Sequence, residues 1–462
     1  MYRFARRGQN KSVWRCIKEK SLSCKGRLWE LDSGERRVVQ EHGHAPDPAE
    51  VKAREVINRI KDKSRAGNAT PSYIVASEVA ALEPGTAASL PPYAQLKRIV
   101  GRSRGKQMPS CPTNLKDLII PEELKTDHRG ELFLQYDSRS VSDEESFSEE
   151  ESDSERERIL IFASKQGLRA LARSQVWLMD GTFKVVPSLF YQLYTVNILK
   201  EGVTMPMVYC LMSSKTNSTY TEFLSVLNNL VIEAHSRLEL EIGIIDFELA
   251  FITAFSDTFR GTRIQGCYFH FSQALWRKIQ KIPSLRALYS AESSCVLHVK
   301  MLISLAFVSP GHVYDYYETL IVSDYFVEKR DCFETFLLYF EKKWVGQLGE
   351  RRDPRFAIDM WNCFENTLLT LPVTNNAVEG WHRGFQSLLV SPHPTLWKLI
   401  ESLKKNNAVN VLRICQVNSS LESQNQRSSY KSRHELLRET VGRFEKLDRL
   451  DYLEAIARHI IL

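Results

Sequence analysis

Short apolar runs that end in an acidic residue are the most informative hydrophobic pattern in this chain. Residues 176–179 are Val-Trp-Leu-Met and lead into Asp180, and residues 242–245 are Ile-Gly-Ile-Ile and lead into Asp246. Continuous runs of this length and composition predict strands that are buried on both faces. Because the carboxyl ends of such strands meet at one edge of a sheet, we expect the two acids to lie there together.

The apolar pattern after Asp180 predicts the rest of a core that mixes strands and helices. Residues 191–199 and 205–211 predict two more strands, and residues 220–234 predict a helix. The order strand, strand, strand, helix, strand, helix places Asp180 on the first strand and Asp246 on the fourth. Residues 281–370 have helical spacing with few turn signals, and so long a stretch is unlike a loop. We therefore expect an α-helical insertion.

Helical patterning also occurs on both sides of this predicted core. Residues 47–110 predict three helices, the last of which ends in the basic stretch 97–106. This arrangement is compatible with a helix-turn-helix-like DNA-binding unit, and equally with a helical spacer that has a basic surface. Residues 397–417 and 434–460 predict C-terminal helices.

Charge is unevenly distributed, although the net value is only +6. Residues 1–110 contain 22 lysines and arginines against 11 aspartates and glutamates, a balance of +11. Residues 141–157 contain nine acids and one base in a Ser/Asp/Glu-rich run that is predicted to be disordered. A polyanion-binding region joined by an acidic tether to a second domain explains this pattern, as does a simple solvated basic surface.

A third acid, Glu379, lies at a predicted helix start. Three carboxylates, two at strand ends and one on a helix, would supply the oxygen ligands that Mg²⁺ or Mn²⁺ prefers. Two such ions, about 3.5–4 Å apart, support phosphoryl transfer. Each acid also has an ordinary structural interpretation. Asp180 could open a turn, Asp246 could cap the next helix, and Glu379 could complete a capping box with Asn376.

The residues around these acids resemble the three catalytic blocks of Mutator-like element (MULE) transposases. The first block is Asp-Gly-Thr-Phe-Lys at 180–184 with Phe-Tyr-Gln-Leu-Tyr at 190–194. The second is Asp-Phe-Glu-Leu-Ala at 246–250 with Gly-Cys-Tyr-Phe-His-Phe at 266–271. The third is Thr-Asn-Asn-Ala-Val-Glu-Gly-Trp-His at 374–382, continued by His-Pro-Thr-Leu-Trp at 393–397. The resemblance implies an RNase H-like fold in which Asp180, Asp246 and Glu379 form a D-D-E triad.

Four accessory residues accompany the predicted triad. The spacing of Cys267 and His270 is that of two of the four ligands of a zinc site. The MULE family has a Cys-x-x-His at this position. A role beside the active site and a buried structural pair are both open interpretations. His382 and Arg383 follow Glu379 at helical spacing, so they share its face. Arg383 is suited to contact a DNA phosphate, whereas His382 could equally be a surface residue.

The first 46 residues contain a second set of metal-ligating side chains. Cys16, Cys24, His42 and His44 are ligand types of structural Zn²⁺, and Trp-x-Cys and His-x-His spacing suits extended strands. The pattern resembles a FLYWCH-type zinc finger, which implies these four residues as its ligands. The first strand of that family is absent, so we expect an N-terminally truncated finger whose stability depends on the metal.

Cysteine usage and hydropathy restrict the cellular setting. Nine scattered cysteines lack the density of a secreted disulfide scaffold, no run approaches a membrane span, and the start has no apolar signal region. We expect a soluble nuclear protein with reduced thiols, no membrane association and possible homo-oligomers. The basic stretch 97–106 is also a candidate nuclear import signal.

Together these patterns predict an α+β multidomain protein with an RNase H-like mixed sheet core and an α-helical insertion. The expected domains are a zinc finger at 1–46, a helical unit at 47–110, a linker at 111–172, the catalytic core at 173–280, the insertion at 281–370, the last core helix at 371–420 and a helical tail at 421–462. The expected function is DDE transposition of double-stranded DNA, with terminal inverted repeats and target DNA as partners. The alternative is a domesticated, non-catalytic transcriptional regulator.

Overall fold

The chain forms two compact units, Met1–Ser110 and Cys111–Leu462. A computed structural model describes residues 1–66, 69–105, 112–139, 157–200, 202–346, 353–389, 394–418 and 428–460. The acidic run predicted at 141–157 lies outside these residues except for Glu157, and so does His393 of the third block.

The first unit begins with a small antiparallel sheet in the order β1-β2-β3-β4. Its strands are β1 (Tyr2–Arg7), β2 (Lys11–Cys16), β3 (Arg27–Leu31) and β4 (Arg36–Gln40). The outer strands β1 and β4 are almost entirely exposed, and Cys16 and Cys24 are among its few buried side chains. So small a sheet buries too little apolar surface to be stable through its core alone.

Helices complete the first unit. They are α1 (Pro48–Ala66), α2 (Pro71–Val79), α3 (Pro84–Ala88) and α4 (Tyr93–Gly105). Their apolar faces meet in one cluster that includes Val56, Ile60, Ile74, Leu96 and Val100. The expected helices are therefore present, with a short additional one between the second and third.

The second unit is built on a mixed sheet of seven strands in the described residues, in the order β11-β10-β7-β8-β9-β6-β5. The strands are β5 (Leu134–Asp137), β6 (Ile159–Ala163), β7 (Val176–Thr182), β8 (Gln192–Lys200), β9 (Val203–Met212), β10 (Ile242–Ile245) and β11 (Arg263–Gly266). The β7–β10 and β10–β11 pairs are parallel, and the other pairs are antiparallel. The predicted order of three strands, a helix and a strand is present in β7 to β10.

The helices of the second unit cover this sheet and continue beyond it. They are α5 (Glu122–Lys125), α6 (Lys165–Ala172), α7 (Asn217–Ala234), α8 (Leu249–Thr258), α9 (Tyr268–Gln280), α10 (Pro283–Ala291), α11 (Ser293–Ser304), α12 (Val313–Ile321), α13 (Asp324–Glu328), α14 (Arg330–Phe340), α15 (Ile358–Trp361), α16 (Phe364–Leu368), α17 (Asn376–Leu388), α18 (Leu396–Asn418), α19 (Ser428–Val441) and α20 (Arg449–Ala457). Short 3₁₀ turns occur at 305–307, 310–312 and 444–446, and a π turn at 341–345.

Alternate residues of β7 pack on opposite faces of the sheet, as the pleat requires. Trp177 and Met179 belong to the cluster formed with α6, α7 and α8. Leu178 belongs to a second cluster with Ile244, Cys267 and Val378 of α17. Asp180 follows Leu178 by two residues, so its side chain lies on the α17 face.

The expected boundaries need two corrections. Two segments of the expected linker, β5 and β6, are strands of the sheet, because residues 159–163 are apolar and completely buried. The expected C-terminal tail is also part of a core: Tyr452 and Leu453 of α20 pack in the apolar cluster of the helical insertion, and Tyr452 Oη donates a hydrogen bond to the Phe307 carbonyl at 2.5 Å.

No helix in the described ranges is long and apolar enough to cross a membrane.

Candidate active site

The first two acids lie side by side at the carboxyl edge of the sheet. Asp180 is within β7, and Asp246 directly follows β10. The parallel register pairs Ile242 with Val176 and Ile244 with Leu178, two residues before Asp246 and Asp180, and the charge of Asp180 acts on Asp246. The strands are buried and hydrogen-bonded to each other, so the backbone positions of both acids are fixed by the sheet.

Glu379 approaches these acids from helix α17. Its neighbour Val378 is buried against Leu178 and Ile244, which places the first turn of α17 over the ends of β7 and β10. Trp381 in the next turn donates a hydrogen bond from Nε1 to Asn406 Oδ1 of α18 at 3.2 Å. This bond and the apolar contact hold Glu379 beside the two aspartates.

Two histidines contact the three carboxylates: His270 lies between Asp246 and Glu379, and His382 lies beside Asp180. His270 Nδ1 lies 2.7 Å from Asp246 Oδ1, and its Nε2 lies 3.7 Å from Glu379 Oε1. His382 Nδ1 lies 3.3 Å from Asp180 Oδ2. The side chain of Asp180 is 7% exposed, whereas those of Asp246 and Glu379 are 33% and 30% exposed. The site is therefore open to solvent on the side of Asp246 and Glu379.

The carboxylates repel one another in the absence of a cation. Burial raises the pKa of Glu379, and the charges of Asp180 and Asp246 add to the rise while His270 and Arg383 oppose it. Burial also raises the pKa of Asp246, with Asp180 acting in the same direction and His270 against it. Burial alone would lower the pKa of His270, but the adjacent Asp246 and Cys267 raise it to about 11. A protonated His270 thus supplies part of the positive charge that this acidic cluster requires.

The ordinary structural interpretations of the three acids do not apply. Asp180 lies inside a strand rather than at a turn. The N-cap of α8 is Glu248, so Asp246 does not cap that helix. The N-cap of α17 is Asn375, and no side chain bonds the cap, so Glu379 forms no capping box. None of the three carboxylates is therefore used to form a turn, a helix cap or a capping box.

Asn375 connects the elements that carry Asp180, Cys267 and Glu379, and it was not identified from the sequence as a site residue. It is fully buried, its Nδ2 donates to the Met179 carbonyl at 3.0 Å, and its backbone N–H donates to Cys267 Sγ at 3.2 Å. Its own carbonyl accepts a hydrogen bond from Glu379 N at 3.1 Å. One residue therefore ties β7, the start of α9 and the start of α17 together. The only sequence signal was its place beside Asn376 in the third block.

The accessory residues differ in their surroundings. Cys267 is fully buried and follows β11, and its backbone N–H donates to the Ile245 carbonyl at 2.8 Å. Ligand atoms of Asp246, Cys267 and His270 all lie within 4.8 Å of one another. Arg383 is exposed, and its charge opposes the rise in the pKa of Glu379. All four accessory residues therefore lie at or near the carboxylates.

The Cys/His set of the first unit also converges. Ligand atoms of Cys16, Cys24, His42 and His44 lie within 4.8 Å of one another. Cys16 Sγ is 3.3 Å from His44 Nε2, and Cys24 Sγ is 3.4 Å from His42 Nδ1. Tetrahedral Zn²⁺ with Zn–S near ~2.3 Å and Zn–N near ~2.0–2.1 Å requires S···N separations of about 3.5 Å, so the donor set fits.

The backbone donates a hydrogen bond to each of these two sulfur atoms, although burial still raises the pKa of Cys16. The N–H groups of Lys18 and Gly26 donate to Cys16 Sγ and Cys24 Sγ at 3.3 Å and 3.5 Å. The bond from Gly26 lowers the pKa of Cys24. A Cβ atom at position 26 would stand 2.8 Å from His42 Nδ1, so the close approach of His42 requires glycine there.

Comparison with protein families places one match on the sheet of the second unit. The model of the MULE transposase domain matches residues 176–274. This segment runs from β7 into α9 and includes Asp180, Asp246, Cys267 and His270, whereas Glu379 lies beyond it. No curated protein matches the chain. The segment is thus similar to a MULE transposase domain.

Proposed function

We propose that this protein is a DDE transposase of the MULE type, which binds transposon ends and catalyses metal-dependent DNA cleavage and strand transfer. The observation that carries the proposal is the proximity of three carboxylates: His270 lies between Asp246 and Glu379, and the charge of Asp180 acts on both. Two of these acids lie inside the segment that is similar to the MULE transposase domain.

The topology supports an RNase H-like core for the second unit. Three antiparallel strands, β7 to β9, are followed by a helix and by β10, which pairs in parallel with β7. In this arrangement the first and fourth of these strands end side by side, and their acids meet. The third acid arrives on α17 after the helical insertion, which explains its distance in sequence from the other two.

The donor set fits Mg²⁺ or Mn²⁺. Asp180, Asp246 and Glu379 offer oxygen atoms, and their mutual repulsion is the condition that a divalent cation relieves. When bound, two such ions would activate the attacking oxygen and stabilise the leaving oxygen of a phosphodiester. His382 orients Asp180, and Asn375 fixes the strand and helix that carry Asp180 and Glu379. Arg383 lies exposed near Glu379, where it can bind a DNA phosphate.

The first unit is proposed to hold the transposon ends. Cys16, Cys24, His42 and His44 would bind one Zn²⁺ in a FLYWCH-type finger, as their S···N distances support. Arginines at positions 3, 6, 7, 36 and 37 belong to the exposed strands β1 and β4. A basic exposed sheet and the basic helix α4 supply the phosphate contacts that dominate DNA affinity. We propose a nuclear location for this function, because chromosomal DNA is its substrate.

Cleavage by acid variants tests the catalytic half of this proposal. The substrate is duplex DNA that carries the genomic sequences on both sides of this reading frame, with Mg²⁺ or Mn²⁺ present. Asp180→Asn, Asp246→Asn and Glu379→Gln should each reduce cleavage by at least about 100-fold, since even residues behind metal ligands are worth 10–100-fold. DNA affinity should change by less than about twofold, because it comes from phosphate contacts elsewhere.

Asp257→Asn is the matched control, because this exposed aspartate lies on α8 away from the carboxylate cluster. It should cleave as the wild type does. Deletion of residues 1–110 should have the opposite effect to the acid variants. The DNA affinity should fall, and its dependence on salt concentration should become weaker. A wild-type protein that binds this DNA and never cuts it with either metal would favour the domesticated regulator.

A further inference from the structure

A mixed set of soft and hard metal ligands lies beside the three carboxylates. Cys267 and His270 are half a zinc site by spacing, and the sequence offers no second half nearby. The structure supplies a third ligand from a different element. Asp246 follows β10, Cys267 follows β11, and the parallel register of these strands pairs Ile245 with Gly266. The sheet therefore places the two residues next to each other.

The three ligand atoms have the proximity that one ion requires. The side-chain donors of Asp246, Cys267 and His270 lie within 4.8 Å of one another. His270 is in the first turn of α9, three residues after Cys267, so both side chains face the same way. His270 Nδ1 and Asp246 Oδ1 are 2.7 Å apart, and binding an ion would widen this gap by about 0.6 Å, given ligand distances of ~2.0 Å at tetrahedral angles. A side-chain rotation of that size needs no backbone movement.

The surroundings of Cys267 suit a metal-bound thiolate. Its side chain is fully buried, and Sγ accepts the N–H of Asn375 at 3.2 Å. Hydrogen bonds of this kind stabilise sulfur ligands and fix their direction. Binding would release the thiol proton of Cys267 and the imidazolium proton of His270 to solvent, because both ligands bind a metal only when deprotonated.

We propose that Asp246, Cys267 and His270 form a transition-metal site that takes Zn²⁺ in preference to Mg²⁺. Thiolate and imidazole ligands select Zn²⁺, whereas Mg²⁺ requires oxygen ligands in octahedral geometry. Three protein ligands leave the fourth tetrahedral position for water. The site shares Asp246 with the proposed catalytic triad, so Zn²⁺ there withdraws one carboxylate from the Mg²⁺ site and inhibits cleavage. This inhibition rests on the proposed function, whereas metal binding itself does not.

Cobalt spectroscopy tests the binding, because Co²⁺ bound by a thiolate has a charge-transfer band in the near ultraviolet. The full chain would carry Cys16→Ser and Cys24→Ser, so that the cluster of the first unit contributes no signal. Titration with Co²⁺ under reducing conditions should give the band with one ion per chain, and Zn²⁺ should displace it. Adding Cys267→Ser should remove the band, and adding His270→Gln should weaken binding by about 10–100-fold.

Cys295→Ser is the matched control, because this cysteine is also buried but lies on α11 of the insertion. That variant should keep the full band, and circular dichroism of every variant checks its fold. A folded parent protein without the band, or a band that survives Cys267→Ser, would overturn the site.

Zinc titration of Mg²⁺-dependent cleavage tests the shared ligand. Wild-type protein should be inhibited progressively by Zn²⁺, and Cys267→Ser should need at least about tenfold more Zn²⁺ for the same fractional loss of its own rate. Equal sensitivity of the two proteins, with the cobalt band present, would refute the sharing of Asp246. A chain that cleaves no DNA at all would refute the proposed function, and the cobalt titration would still decide the metal site.

Discussion

The two units of this protein hold their candidate metal ligands in opposite ways. In the first unit, Cys16, Cys24, His42 and His44 meet beside a small sheet whose outer strands are exposed. In the second unit, Asp180 lies within β7 and Asp246 directly follows β10, and both of these largely buried strands are paired on both sides. Apolar burial is scarce around the first set and abundant around the second.

The difference in burial distinguishes ligands that stabilise the folded state when they bind a metal from ligands that destabilise the folded state until a metal binds. Structural Zn²⁺ contributes its binding energy to folding, because the site does not exist in the unfolded chain. Buried carboxylates that repel one another lower the stability of the folded state until a cation binds. Removing a ligand should therefore destabilise the first unit and stabilise the second.

The largest effect is expected from Cys24→Ser in the first unit. Structural Zn²⁺ contributes about 10–16 kcal/mol in comparable small domains, so loss of one thiolate should unfold residues 1–46. Hydrogen exchange of the full chain should show loss of protection in β1 to β4 and unchanged protection in β7 to β10. Cys332→Ser, in α14 of the second unit, controls for the general loss of a thiol and should leave β1 to β4 protected. Retained protection in the Cys24→Ser variant would mean that the small sheet is stable without metal.

A smaller effect is expected from Asn375→Ala, which removes the bond to the Met179 carbonyl without removing a carboxylate. The buried carbonyl would lose its partner, at a cost of about 1–3 kcal/mol in stability. Because Asn375 positions Asp180 and Glu379, the Mg²⁺ concentration for half-maximal cleavage should rise by about 10–100-fold. Measurements well below the melting temperature separate this shift from unfolding.

Asn376→Ala is the control for that experiment, because its side chain is adjacent and exposed. The Asn376→Ala variant should keep the wild-type stability and the wild-type Mg²⁺ concentration for half-maximal cleavage. Asn375→Asp keeps the size of the side chain but replaces the donor with an acceptor, so it should not restore the wild-type Mg²⁺ dependence. Full restoration by aspartate would show that Asn375 acts through its volume alone.

The smallest effect, and the one of opposite sign, is expected from Glu379→Gln without divalent ions. Its raised pKa means that ionised Glu379 is less favourable in the folded state than in the unfolded chain. The variant should therefore be more stable at pH 7, by roughly 0.5–2 kcal/mol. This advantage should fade as the pH falls through the pKa of Glu379, because the protonated wild-type side chain no longer carries the charge.

Thermal unfolding at pH 7 and at lower pH, with and without Mg²⁺, measures this difference. At saturating Mg²⁺ the wild type should be more stable than Glu379→Gln, because the ion binds the wild type more tightly and stabilises it more. Glu334→Gln on α14 is the exposed control and should match the wild type throughout. A destabilised Glu379→Gln variant without metal would contradict the comparison between the two units.

Local patterns in the sequence were sufficient to locate strands β7 to β10 and the three acids. The apolar runs before Asp180 and Asp246 became β7 and the parallel neighbour β10, because complete burial leaves an unbroken apolar signature. The two ends of the second unit were harder to assign. Strand β6 was placed in a linker because its partner β9 lies about 50 residues away and the acidic run separates it from β5. The α20 helix was taken for a tail because its partner residues belong to the insertion.

The sequence by itself determined the order of the core elements, the positions of the three acids and the Cys/His set of the first unit, since each depends on residue types at short spacing. Only the tertiary structure decided how these residues are connected. Asn375 reaches the carbonyl of Met179 across 196 positions, and His270 lies between Asp246 and Glu379. Periodicity reports which face of an element is buried, but not which distant side chain covers it, so contacts of this separation arise only when the sheet and helices pack.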